Sequence, residues 1–135
     1  MGFTYFNPSN LNQKHKDKQD IFIIAKNAMD EVVGVLNIGE YQIFPGKTYK
    51  GINYIDVHWA YRQLGIARKL FRKLNEIVKP DDIIIGSEPS EQGKKANILN
   101  VLAESINKCP CFGTMQDFYN SQLYCSLLSK NKKAI

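Results

Sequence analysis

Val57-His58-Trp59-Ala60-Tyr61-Arg62-Gln63-Leu64-Gly65-Ile66-Ala67-Arg68 reads as an apolar strand that feeds a short glycine-containing turn and, at once, an amphipathic helix. That order of elements builds an anion site. The first N–H groups of a helix have no partner inside it, and they point outward with the positive end of the helix dipole behind them. Gly65 has no Cβ, so a pyrophosphate can come close to the main chain there.

Working outward, the helix runs from about Gly65 to Val78. Ile66, Leu70, Leu74 and Ile77 recur at intervals of three and four on one face, while Arg68, Lys69, Arg72, Lys73 and Glu76 occupy the others. Lys79-Pro80-Asp81 ends it, and Asp82-Ile83-Ile84-Ile85-Gly86 is a buried strand by composition. Ser90 can cap a further helix carrying Glu91 in its first turn and Ile98, Val101, Leu102 and Ile106 on its inner face, closed by Pro110. Phe112 to Met115 and Gln122 to Leu128 then read as two final strands.

Upstream, Phe3 to Phe6 reads as a short first strand and the polar stretch from Asn7 to Asp20 as loop. Ile21-Phe22-Ile23-Ile24-Ala25-Lys26 and Val32-Val33-Gly34-Val35-Leu36-Asn37-Ile38 form a hairpin across Asn27 to Glu31. A turn around Pro45-Gly46-Lys47 leads to a strand over Gly51 to Trp59. Antiparallel hairpins at the front and a βαβ crossover at the centre give a mixed α/β fold.

The run Arg62-x-x-Gly65-x-Ala67 resembles the acyl-CoA-binding signature of the GNAT superfamily of N-acetyltransferases, Gln/Arg-x-x-Gly-x-Gly/Ala, with Val57 and Tyr61 also where that family has apolar and aromatic residues. The resemblance spans about residues 19 to 128. It implies a mostly antiparallel sheet flanked by helices, with a shortened N-terminal region: only 13 residues lie between Phe6 and Asp20, too few for the family's usual first helix pair. It also implies acetyl-CoA as acyl donor, with no metal, and a primary amine of a small molecule or protein as acceptor. The backbone from Arg62 through Gln63, Leu64, Gly65 and Ile66 to Ala67 would hold the pyrophosphate, and Arg62 or Arg68 would add a charge-assisted contact. Main-chain groups of Val57, His58 and Trp59 would meet the pantetheine arm and the acetyl carbonyl.

The family's second pattern, Asn-x-x-Ala-x-x-x-Tyr-x-x-x-Gly-Phe, can be laid over Asn100-x-x-Ala103-x-x-x-Asn107-x-x-x-Cys111-Phe112. Asn100 would then contact the pantetheine arm, with Asn97 a rival for the same role. Asn107 stands where the family has the tyrosine that protonates the departing thiolate, and an amide cannot serve as that acid. Tyr119, Tyr124 or water would have to replace it. An amine acceptor arrives as ammonium and needs a base. The candidates are Glu88, just past the isoleucine strand, and Asp56 and His58, on one face of the preceding strand by its two-residue alternation. Gly93-Lys94-Lys95 is either a solvated helix start or a contact for the adenosine phosphate.

The totals bound these readings. At 135 residues the chain is a single domain, with 1–18 partly loop and 129–135 a basic tail. No apolar run approaches the roughly 18 residues needed to cross a bilayer, and Met1 to Phe6 is no signal peptide, so the expectation is a cytoplasmic protein without membrane contact. Cys109, Cys111 and Cys125 form neither an even disulfide set nor a zinc pattern and read as reduced thiols. Pro45-Gly46-Lys47-Thr48 is a turn and not a phosphate loop, because residue 41 is tyrosine where that motif needs glycine. The net charge of +5 suits an anionic ligand such as CoA. Its lysine clusters, residues 14–18 and 130–133, read as solubilising ends rather than a nucleic-acid surface. Two rivals stand beside the enzyme: a CoA-binding or regulatory module without turnover, and a basic nucleic-acid-binding domain. The short front end leaves the acceptor site either open or completed by a second subunit in a homodimer.

Overall fold

A computed structural model describes residues 2–6 and 20–133, with the side chains of 20–131. Its centre is a six-stranded sheet whose strands lie in chain order: β1 (Gly2–Phe6), β2 (Ile21–Lys26), β3 (Val32–Phe44), β4 (Lys47–Val57), β5 (Ile84–Ile85) and β6 (Cys111–Phe112). The first four pair antiparallel, and β4, β5 and β6 pair parallel. The helices are α1 (Ile66–Ile77), α2 (Glu91–Lys95), α3 (Ile98–Ser105), α4 (Met115–Tyr119) and α5 (Gln122–Lys133). The residues expected to form the long N-terminal loop lie outside the described ones.

The hairpin of β3 and β4 is longer than the sequence suggested. It turns at Pro45-Gly46, between paired Phe44 and Lys47, with Gly46 at φ 85° as the third residue of a proline-led tight turn requires. One face of the sheet carries the larger core. Ile66, Leu70, Phe71 and Leu74 of α1 and Leu102 of α3 pack there on Ile23, Leu36, Ile38, Ile52 and Ile84. The inward set of α1 follows the 3.6-residue period, with Phe71 added beside Leu70. On the opposite face Ile83, Ile85 and Phe118 form a smaller core with Tyr124 and Leu127.

Three expectations need correction. Gln122 to Leu128 is helix and not strand: Leu123, Tyr124 and Leu127 recur at helical spacing against Phe118, and the Ser121 hydroxyl accepts from Tyr124 N–H (3.1 Å) at the start of α5. Only Cys111–Phe112 of the C-terminal region joins the sheet, because Thr114 and Asp117 close a reciprocal capping box that starts α4. Residues 129–133 continue α5. The helix after Ser90 is also broken in two, with Asn97 in the left-handed region (φ 56°) between α2 and α3. No helix among the described residues is long and apolar enough to cross a membrane.

Candidate acyl-CoA cleft

β4 and β5 are joined only at Lys50–Ile84 and Gly51–Ile85, with Lys50 N–H donating to the Ile83 carbonyl (2.7 Å). Beyond Gly51 the two strands diverge. The opening is a cleft of about 960 Å³, with residues 52–57 of β4 on one wall, residues 86–90 on the other, and α1, α2 and α3 closing it. That volume falls at the upper end of the roughly 300–1,000 Å³ typical of small-molecule and cofactor sites.

A bulge shapes the β4 wall. The register with β3 slips between Asn37–Tyr54 and Ile38–Ile52, leaving Asn53 as the extra residue. Ile52, Ile55 and Val57 therefore all pack on the α1 face. Alternation then sends Tyr54 and Asp56 to the other face, both exposed on the cleft wall.

The strand ends at Val57, and a single 3-10 turn, Trp59–Tyr61, carries the chain away from the sheet. Asn27 donates through Nδ2 to the Tyr61 hydroxyl (3.0 Å), which ties this turn to the β2–β3 hairpin. Gln63 (φ 64°) and Gly65 (φ 79°) both take left-handed backbone before α1 begins at Ile66. The first backbone bond into the helix is Lys69 N–H to the Gly65 carbonyl (3.1 Å), and no side chain caps the N-terminus. No described residue accepts from the N–H groups of Gln63 through Arg68. A Cβ built on Gly65 meets nothing within 4 Å, so the main chain at that residue is open to approach. The fit to a pyrophosphate is thus one of bare donors, helix dipole and unobstructed approach.

The basic side chains nearby divide their duties. Arg62 donates through Nε to the Val57 carbonyl (3.2 Å), while its Nη groups have no described partner at the cleft wall. Arg68 pairs through Nη1 with Glu104 (2.8 Å), bracing α1 against α3. Lys95 lines the α2 wall, whereas Lys94 reaches Glu91 at 3.6 Å.

Of the residues expected at the CoA site, Val57, Arg62, Gln63, Gly65, Ile66, Ala67 and Arg68 line the cleft. Leu64 and Trp59 are exposed and lie outside that lining, as does Asn100, whose helix instead presents Ile98, Leu99, Val101 and Leu102. His58 is likewise outside. Its N–H donates to the Val33 carbonyl (2.8 Å) and its Nδ1 accepts from Ala60 N–H (3.2 Å), so it caps the 3-10 turn. Among the expected bases, Asp56 and Glu88 stand on opposite walls of the cleft, both exposed.

Tyr119 lies outside the lining, its ring tilted against Phe118 and edge-on to Tyr124 near the smaller core. Asn107 also lies outside it, on the α1–α3 seam, where its side chain accepts from Asn75 Nδ2 (2.9 Å) and its N–H donates to Asn75 Oδ1 (3.1 Å). Sequence reasoning missed Tyr54 and Asn53, whose approach to the cleft depends on a bulge with no residue signature. Cys109 and Cys111 are half-buried and Cys125 is exposed, all three as free thiols. Burial pushes the Cys111 thiol up to about 12, with Cys109 adding to the effect.

An aminoglycoside antibiotic 6'-N-acetyltransferase from Acinetobacter haemolyticus superposes on 76% of this chain and 89% of its own, at a TM-score of 0.55 and 14% identity. The fold is the GNAT fold. A second such enzyme, from Acinetobacter baumannii, matches 75% of this chain and 89% of its own with a TM-score of 0.49 and 13% identity. No family model matches the sequence, and no curated protein matches it.

Proposed function

We propose that the protein is an acetyl-CoA-dependent N-acetyltransferase that transfers an acetyl group to a primary amine of a small molecule or protein. The observation that carries this reading is the row of N–H groups from Gln63 to Arg68, without partners among the described residues, where the β4–β5 cleft meets the start of α1. When bound, acetyl-CoA supplies an activated thioester, and the chain's own groups do the rest.

The amides at the start of α1 and the Nη groups of Arg62, without a partner among the described residues, hold the pyrophosphate. Lys95 on the α2 wall suits the remaining phosphate of the nucleotide. The edge of β4 beyond Gly51, without a strand partner among the described residues, offers main-chain groups to the pantetheine arm. A donor there that meets charge developing on the acetyl oxygen is worth on the order of 3 kcal/mol.

On the acceptor side an ammonium loses its proton to Asp56 or Glu88, directly or through water. The departing thiolate takes a proton from the Tyr54 hydroxyl or from solvent. An ordinary thiol pKa of about 8.5 makes this a modest demand, so a tyrosine at position 107 is not required. A cytoplasmic setting suits the three free thiols.

A second reading, a CoA-binding module without turnover, is favoured by the exposure of both candidate bases, neither of which has a described partner to orient it. Thiol release from acetyl-CoA, screened over polyamines, aminoglycosides, amino acids and peptides, tests the proposal. Acceptor-dependent release is expected. Tight acetyl-CoA binding with no release above hydrolysis for any amine leaves only the module, and no binding at all removes both readings.

A further inference from the structure

β3 and β4 face each other with two glycines directly paired, Gly39 and Gly51. Bare backbone at both positions leaves a trough on the sheet, and the Tyr41 ring lies in it. A Cβ on Gly51 would stand 2.8 Å from Tyr41 Cε2, and a Cβ on Gly39 would stand 2.9 Å from Tyr41 Oη. Tyr49 stacks on the same ring at 5.5 Å between centroids. Held flat in this way, Tyr41 donates its hydroxyl hydrogen to Asn53 Oδ1.

Asn53 is the extra residue of the β4 bulge. Its Nδ2 donates to Asn37 Oδ1 (2.8 Å), and Asn37 donates through Nδ2 to the Ile21 carbonyl (3.4 Å). Asn37 is 3% exposed, one of two buried polar side chains among the described residues. A directed chain of hydrogen bonds thus crosses from Tyr41 over β4 and β3 to β2. It grips the one residue whose register slip decides which side chains of β4 face the cleft. A strand without the slip would return Ile55 and Val57 to the far face and turn Tyr54 and Asp56 into the core, since one residue of shift reverses every side chain.

We propose that Tyr41 and Asn37 are positioning residues that hold the bulge at Asn53 and thereby set the wall along which the pantetheine arm lies. The inference rests on the acetyl-CoA reading above. Neither Tyr41 nor Asn37 lines the cleft, so each acts through Asn53, which does. The glycine pair is explained by the same device, because any Cβ at either position would displace the ring.

The test compares two ligands that share the pyrophosphate end, acetyl-CoA and 3'-phospho-ADP, binding to wild type, Y41F, N53A and the double variant. Y41F and N53A are each expected to weaken acetyl-CoA about tenfold, the loss expected when a hydrogen-bonded partner is left unmatched. The affinity for 3'-phospho-ADP should stay within about twofold, and the double variant should bind like N53A alone, because the two changes cut one chain. Equal losses for both ligands, additive losses, or no loss for acetyl-CoA would each overturn the assignment. Should the wild type bind neither ligand, the CoA reading falls. The strut is then judged by hydrogen exchange of the amides of residues 52–57, which Y41F must accelerate if the assignment holds and leaves unchanged if it does not.

Discussion

Replacing Gly65 and Gly86 by alanine should separate two roles of glycine in the same cleft. Both residues line it. At Gly65 the added Cβ meets no atom within 4 Å, and the cost is the left-handed backbone at φ 79°. An L-residue there costs roughly 1–2 kcal/mol, partly offset by about 0.4–1 kcal/mol from the less flexible unfolded chain, for a net of about 1 kcal/mol. At Gly86 the backbone is ordinary, but a Cβ would lie 2.4 Å from the Gly113 carbonyl oxygen and 3.0 Å from Leu102 Cδ2. Relief requires moving β5 from its neighbour, which strains the Gly86 N–H bond to the Phe112 carbonyl (2.8 Å). Overpacking plus one weakened bond costs about 3 kcal/mol. With about 2.1 cal/mol/K per residue, unfolding carries an entropy of about 0.28 kcal/mol/K for this length. G65A should therefore lower Tm by about 3–4 °C and G86A by about 10 °C. Calorimetry with acetyl-CoA completes the contrast. G65A, still well folded, should lose at least about tenfold in affinity because its methyl stands where the anion must approach the amides. An unaltered affinity in G65A, or equal losses of Tm in the two variants, would refute the reasoning.

Other consequences follow from groups outside the cradle. Burial alone would raise the Asp82 carboxyl, but the Lys79 N–H (2.8 Å) and the Lys50 ammonium (3.1 Å) outweigh it and hold the pKa below the ordinary 3.8. The resulting stability is present above pH 3.8 and is lost as pH falls through the lower, folded value. D82N should thus be less stable than wild type at neutral pH by on the order of 1–2 kcal/mol, with the gap closing in acid, as urea unfolding at several pH values will show. Iodoacetamide near pH 8, followed by mass spectrometry, should label exposed Cys125 well before Cys111, whose thiol at about 12 is almost wholly protonated. N107A should leave acetyl-CoA affinity unchanged, while N75A, which removes the acceptor for the N–H groups of Asn107 and Lys108 (both 3.1 Å), should lower stability by about 1–2 kcal/mol in denaturant titration.

Much of this was legible in the sequence because it rests on periodicity and local chemistry. The apolar residues of α1 recur at helical spacing, Gly65 falls where a left-handed turn precedes the helix, and the β-branched run at Ile83 to Ile85 reads as buried strand. The C-terminal helices were missed for a local reason: Leu123, Tyr124, Leu127 and Leu128 fit helix as well as strand, and the capping box at Thr114 and Asp117 was the deciding signal. Asp56 and His58 part for a tertiary reason. Two-residue alternation joins Asp56 to His58, yet β4 ends between them and His58 turns away to cap the 3-10 turn. The bulge at Asn53, which brings Tyr54 to the cleft wall, depends on partners in β2 and β3 distant in sequence. The overlay of Asn107 on a catalytic tyrosine matched spacing, whereas the side chain lies on the α1–α3 seam with Asn75.

The central claim is tested most directly by titrating isotopically labelled protein with acetyl-CoA and following its backbone amide resonances. The account predicts saturable shifts at the amides of residues 63–68 and along residues 52–57, with β1 and β2 little affected. An absence of shifts at millimolar ligand, or shifts confined to surfaces away from the β4–α1 turn, would contradict it.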